Sequence, residues 1–193
     1  MKAILVYCGA NSGTKEIYKQ TAEALGKTLA INDIRLIYGG GSVGLMGIIA
    51  DAVLANGGQV TGIIPHFLDR MEVGHKSLPD MHKVETMHER KALMEKLCDG
   101  IITLPGGYGS MDELFEILSW SQLGLHQKPI GLLNLNGFYD HLLKQLDVMV
   151  AEGFLKSENR NLVIVSDTIE DLLQKMNDFK PTFHEKWLKR EQV

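Results

Sequence analysis

Cysteine is scarce: the 193 residues contain two, Cys8 and Cys98. So few exclude a disulfide-stapled scaffold and a paired-cysteine zinc centre, and each thiol ends an apolar stretch, as an ordinary buried side chain in a reducing compartment does. Long hydrophobic runs are missing too, none approaching the ~18 residues that a membrane span needs. Met1 passes through Lys2 straight into a strand-like segment, without the regions of a secretory leader. A cytoplasmic protein with no membrane partner is expected. Positive charge is in slight deficit, 20 Lys plus Arg against 24 Asp plus Glu for a formal net charge of -4, which argues against a nucleic-acid partner. Lys186 and Arg190 lie in a slightly basic stretch that Glu185 and Glu191 flank, the pattern of a solvated tail. The seven histidines form no H-E-x-x-H site, so no metal is expected, and the absence of a G-x-S-x-G elbow disfavours a serine hydrolase.

Glycine is abundant by contrast, with 20 residues clustered behind apolar runs, and 45% of the chain is hydrophobic. Strand-like segments at 2–8, 34–38, 59–64, 84–86, 100–104, 129–134 and 162–165 alternate with helix-like ones, among them 45–54, 87–97, 111–123, 138–152 and 169–176. Residues 67–81 show neither period and read as an irregular excursion. This rhythm predicts an α/β, Rossmann-like three-layer fold with a mostly parallel central sheet flanked by helices. One domain spans 1–180, with 181–193 as a C-terminal extension. A ligand in such a fold sits outside the carboxyl ends of the strands, where every glycine-rich loop of this chain falls.

Three of those loops are candidate binding elements. Gly9 and Asn11 follow the first strand. Gly39-Gly40-Gly41-Ser42-Val43-Gly44 follows the second and opens a helix, so Gly40, Gly41 and Gly44 either let backbone approach a nucleotide or make a tight turn against the sheet. Leu45 and Met46 stand where a Walker loop needs Lys and Ser or Thr. Pro105-Gly106-Gly107-Tyr108-Gly109-Ser110 precedes a helix whose positive end can hold an anion. Ser110 and Glu113 also make the S-x-x-E pattern of a capping box, which explains Glu113 without catalysis, although the two roles are compatible. Thr86 and Glu89 repeat that pattern at the preceding helix start. Arg90 shares an apolar stripe with Leu93, Met94 and Leu97. A guanidinium there requires a partner, whether a carboxylate, a substrate phosphate or a structural carbonyl.

The run Pro105-Gly106-Gly107-Tyr108-Gly109-Ser110-Met111-Asp112-Glu113, with Met87-His88-Glu89-Arg90-Lys91 upstream and the early loop from Gly39 to Gly47, resembles the LOG family of cytokinin riboside 5'-monophosphate phosphoribohydrolases, proteins long labelled lysine decarboxylases. The resemblance covers nearly the whole chain. It implies an enzyme that hydrolyses the N-glycosidic bond of N6-modified adenosine 5'-monophosphate or of AMP, giving free base and ribose 5-phosphate, as a homodimer without a cofactor. Arg90 and Glu113 match the family's catalytic pair. Lys91 and the stretch Gly107, Tyr108, Gly109, Ser110, Met111, Asp112 and Glu113 match its substrate-binding residues, and Glu72 falls where a base-side carboxylate is expected. Ser110 replaces the family's usual Thr and keeps the hydroxyl. A decarboxylase would need a Schiff-base lysine with a cofactor-binding set around it, which Lys91 does not bring. The alternative from another class is a nucleotide-binding or molybdenum-cofactor carrier-like protein that uses the same loops without turnover.

Overall fold

The computed structural model describes residues 1–71 and 74–181. Mostly apolar runs four to six residues long make the inner strands β1 (Ala3–Tyr7), β2 (Arg35–Tyr38), β3 (Val60–Pro65), β5 (Gly100–Thr103) and β6 (Ile130–Leu133), with β4 (Asp80–Val84) at one edge and β7 (Val163–Ser166) at the other. Strand side chains alternate between faces, and β1 shows what the sheet does with that. Ile4 and Val6 enter a core with Leu25, Leu29, Ile49 and Val53 on one face, while Leu5 and Tyr7 enter a second with Met94, Leu114, Ile117 and Leu146 on the other. Helices α1 (Glu16–Ile31), α2 (Gly44–Ala55) and α8 (Ile169–Asp178) cover the first face. Helices α4 (Met87–Leu97), α5 (Tyr108–Gln122) and α6 (Asp140–Ala151) cover the second. Two short helices, α3 (His66–Arg70) and α7 (Ser157–Arg160), lie in the connections. Each aliphatic side chain so buried contributes about 1.5–3 kcal/mol, which is why runs of this kind specify inner strands.

Every strand pair is parallel, in the order β4-β3-β2-β1-β5-β6-β7. The chain builds outward from β1 to β4, returns to lay β5 against β1, and builds outward the other way. The order therefore reverses between β1 and β5, and the loops leaving those two strands diverge to open a crevice.

Two sequence expectations are corrected. The strand expected at 84–86 lies at Asp80–Val84, pairing Thr61 with Asp80 through Pro65 with Val84. As an edge strand it is only half covered and needs no apolar run, so its signal is hidden; Thr86 serves instead as the N-cap of α4, accepting a hydrogen bond from the Glu89 amide at 3.1 Å. Part of the excursion at 67–81 is also regular, since it contains most of α3 and the start of β4. The second correction concerns α5, which begins three residues before the expected start at 111. Its N-cap is Gly107, whose carbonyl accepts from the Met111 amide at 3.1 Å. Ser110 lies inside the first turn, so the capping box of Ser110 and Glu113 does not form.

The loops after β1, β2 and β5 are stitched by backbone. The Gly9 amide donates to the Pro105 carbonyl at 3.1 Å, and the Leu45 amide to the Gly9 carbonyl at 3.0 Å. Gly44 sits at φ +61°, and a Cβ there would strike the carbonyl of Ala10 and the amide of Asn11. Gly44→Ala is expected to cost about 2 kcal/mol or more from backbone strain and collision, read as a lower urea midpoint with an unchanged m-value.

Candidate active site

A cavity of about 590 Å³ opens at the β1/β5 crevice. Its walls are the loop 8–13, the loop 105–110, Leu45 and Met46 at the start of α2, Leu68 on α3, Tyr18 on α1 and Phe138 before α6, with Arg90 and Glu113 also lining it. Gly107, Tyr108, Gly109 and Ser110 all reach the cavity at the N-terminus of α5. The first amides of a helix have no intrahelical partner, and among the described residues no side chain caps this one. Fifteen residues of aligned peptide dipoles thus present free N–H groups to the cavity, an arrangement suited to a phosphate.

Arg90 comes from the apolar stripe of α4 and Glu113 from the second turn of α5. Their side chains are 9% and 11% exposed, and Arg90 Nη1 donates to Glu113 Oε1 at 3.3 Å. The guanidinium also donates from Nε to the Ile63 carbonyl at 3.1 Å and from Nη2 to the Gly39 carbonyl at 3.1 Å. Two of the three partners foreseen for Arg90 are therefore present together, a carboxylate and structural carbonyls. Gly39 is required for this: any Cβ at that position would collide with Nη2. Freed from capping, Glu113 faces the cavity with its orientation set by Arg90.

Burial pushes the Glu113 carboxyl up to about 7, against the downward pull of the Arg90 guanidinium. Asp112 and Glu116 on α5 add to the rise, and Lys91 on α4 opposes it. A carboxyl that titrates near neutrality can exchange protons with a substrate or water at physiological pH.

Lys91 points elsewhere. Its Nζ meets Asp112 Oδ2 and Glu116 Oε1, each at 3.0 Å, and does not line the cavity. Burial draws its pKa down, but hydrogen bonds to Glu116 and Asp112 outweigh this, and the net shift is upward. A Schiff-base lysine needs the opposite shift. Gly9 and Asn11 line the cavity, whereas Gly40, Gly41, Gly44, Met111 and Asp112 do not; Gly44 acts by seating the Ala10–Asn11 backbone. Glu72 lies outside the described residues. Sequence reasoning did not find Tyr18, Met46, Leu68 or Phe138. Tyr18 sits on the same helical stripe as Ala22, Leu25 and Leu29 and reads as core, and nothing local marks the other three as cavity residues. Among the described residues, no group of three or more His, Cys, Asp or Glu side chains is placed to hold a metal ion, and no helix is long and apolar enough to cross a membrane.

The protein family described as "Possible lysine decarboxylase" matches residues 46–176. Among curated relatives, the probable cytokinin riboside 5'-monophosphate phosphoribohydrolase LOGL1 of Oryza sativa subsp. japonica is 46% identical over 182 residues, 94% of this chain and 82% of the relative. Cytokinin riboside 5'-monophosphate phosphoribohydrolase LOG1 of Arabidopsis thaliana is 44% identical over 185 residues, 96% of this chain and 86% of the relative. The chain belongs to the LOG family. Solved structures show the same fold at greater distance. A molybdenum cofactor binding protein from Rippkaea orientalis superposes with TM-score 0.69 at 20% identity, covering 92% of the LOG chain and 97% of its own. The molybdenum cofactor carrier protein of Chlamydomonas reinhardtii gives 0.67 at 18%, covering 91% and 96%. At these identities the likeness is one of fold alone.

The raised carboxyl of this LOG chain has a consequence for stability. The folded protein holds the Glu113 proton more tightly than the unfolded chain does, so the contribution is fully present below pH 4.5 and is lost as pH rises through about 7. Relative to Glu113→Gln, the parent is expected to lose on the order of 3 kcal/mol across that window, measured by urea unfolding at a series of pH values.

Proposed function

We propose that this LOG protein hydrolyses the N-glycosidic bond of N6-modified adenosine 5'-monophosphates, the cytokinin riboside 5'-monophosphates, or of AMP, releasing the free base and ribose 5-phosphate. The curated relatives carry that activity in their names. The observation that carries the reading in this chain is the buried Glu113, oriented by Arg90, in the cavity that also receives the uncapped end of α5.

The chemistry follows from the placement. Amides of Tyr108, Gly109 and Ser110 receive the 5'-phosphate. Glu113 lies one turn farther along α5, about 5 Å, a displacement comparable with the ribose that separates the phosphate from C1'. As the C1'–N bond breaks, its electron pair leaves with the base, which takes up a proton, and positive charge grows on the ribose. The Glu113 carboxylate stabilises that charge and accepts a proton from the water that attacks C1'. Arg90, held on two main-chain carbonyls, fixes the carboxylate and keeps a fraction of it ionised at neutral pH. Lys91 supports the pair from outside by tying α4 to Asp112 and Glu116, and Glu72 is read as the base-side carboxylate. Decarboxylation does not suit a site whose lysine is ion-paired twice and shifted upward.

The same reading makes the protein a cytoplasmic homodimer that acts on small molecules and not on nucleic acid. Its support is the family resemblance together with Phe115 on α5 and Leu123 just after it, each 37% exposed.

Incubation with AMP and with N6-isopentenyl-AMP is expected to release base and ribose 5-phosphate in equal amounts, quantified by chromatography and mass spectrometry. Folded, nucleotide-binding protein that yields neither product overturns the reading in favour of a binding protein without turnover. Glu113→Gln is expected to lower kcat by roughly 10²- to 10³-fold while retaining AMP binding. In the parent, kcat/KM should rise with pH through about 7 as Glu113 ionises, and the variant should lose that limb. Gly39→Ala, which evicts Nη2 of Arg90, is expected to track Arg90→Ala in activity while still melting cooperatively.

A further inference from the structure

The loop that receives Arg90 is three consecutive glycines, Gly39, Gly40 and Gly41, which bring no side chain with which to anchor themselves. Its bracing comes from the segment after α3. The His75 amide donates to the Gly40 carbonyl at 2.9 Å, and Gly41 forms an isolated antiparallel bridge with Gly74. His75 Nε2 lies 3.0 Å from Oδ1 of Asp51, on α2. The His75 side chain is 8% exposed and that of Asp51 71%. His75 Nδ1 is buried without a partner among the described residues, so Asp51 is the polar anchor of the ring. Adjacent carbonyls thus face two tasks: Gly39 accepts from the Arg90 guanidinium and Gly40 from the His75 backbone.

We infer that His75 and Asp51 form a clamp that positions Arg90, and through it Glu113, by fixing the glycine loop between α2 and the segment that follows α3. The inference rests on the proposed hydrolysis for its kinetic consequence, but not for its geometry. His75 and Asp51 do not line the cavity and touch no reacting atom; they are positioning residues. A loosened loop lets the Gly39 carbonyl drift, Arg90 loses one of its two main-chain anchors, and the carboxylate loses its orientation. Buried groups facing Glu113 are Arg90 and Lys91 from α4, Tyr7 at the end of β1 and Cys8 just after it, with Asp112 and Glu116 beside it on α5. Of these, only Arg90 is held by the clamped loop.

Asp51→Ala, His75→Ala, the double variant and His75→Gln test this. Asp51 is mostly exposed, so its variant keeps the fold. Each alanine variant is expected to lower kcat roughly tenfold, with a smaller change in KM, and to move the acidic limb of kcat/KM to higher pH as Arg90 loosens its hold on Glu113. The double variant should match the singles, since one clamp is lost in each. His75→Gln places a donor near Nε2 and should recover most of the parent rate. An effect on melting temperature alone, with parental kcat and pH limb, overturns the clamp. A second readout needs no turnover: the Nε–H signal of Arg90 in ¹H–¹⁵N spectra, identified by its loss in Arg90→Lys, should exchange slowly with solvent in the parent and quickly in the alanine variants. If the parent releases no base, the hydrolase reading fails and this signal alone decides: equal exchange rates in parent and variants refute the clamp, unequal ones support it.

Discussion

Burying a guanidinium is among the costlier things a small domain can do, because the group keeps its charge at any pH the protein meets and loses its hydration. Arg90 is accommodated because the sheet supplies what water did. The carbonyl of Gly39 comes from just after β2 and that of Ile63 from within the adjacent parallel strand β3, and the third partner is the carboxylate that needs orienting. Much of the surrounding architecture answers to this one side chain. The glycine at 39 exists to admit it, α4 must be capped at Thr86 to aim it, and α5 must begin early enough to put Glu113 opposite. An ion pair of this kind is poor as a source of stability. Its value lies in holding a carboxylate in a defined place at a pKa near neutrality.

The site is divided between two kinds of recognition. Backbone amides at the start of α5 offer a fixed partial positive charge that needs no side chain, which is why the stretch can be mostly glycine. Proton transfer in the proposed hydrolysis falls to a side chain, Glu113, which Arg90 orients. Lys91, one residue from Arg90, faces a different pair of carboxylates and belongs to the support of the site. Two neighbouring cations on one helix thus take separate jobs because successive helical residues point about 100° apart.

Local chemistry was legible in the sequence and non-local chemistry was not. The strand rhythm, the glycine loops and the need of Arg90 for a partner all follow from spacing and composition, and the structure sets them at one sheet edge. The start of α5 misled because Ser110 and Glu113 fit a capping box as well as they fit a helix already under way; the glycines before them begin the helix by leaving its first amides to the cavity. Strand β4 escaped because a half-exposed edge need not be hydrophobic. Tyr18, Leu68 and Phe138 meet only through the fold, and His75 finds Asp51 across 24 residues. No periodicity carries such pairings.

The uncapped end of α5 also bears on how a catalytic cycle would finish. In the proposed reaction its amides hold the phosphate, which substrate and sugar product have in common, and make no distinction between a nucleotide and a free pentose phosphate. Once the glycosidic bond is cut, the base loses its tether while the sugar keeps its strongest one. On that proposal the helix end also orders departure, base first and ribose 5-phosphate last, and makes the sugar phosphate a competitor for the next molecule to be cleaved.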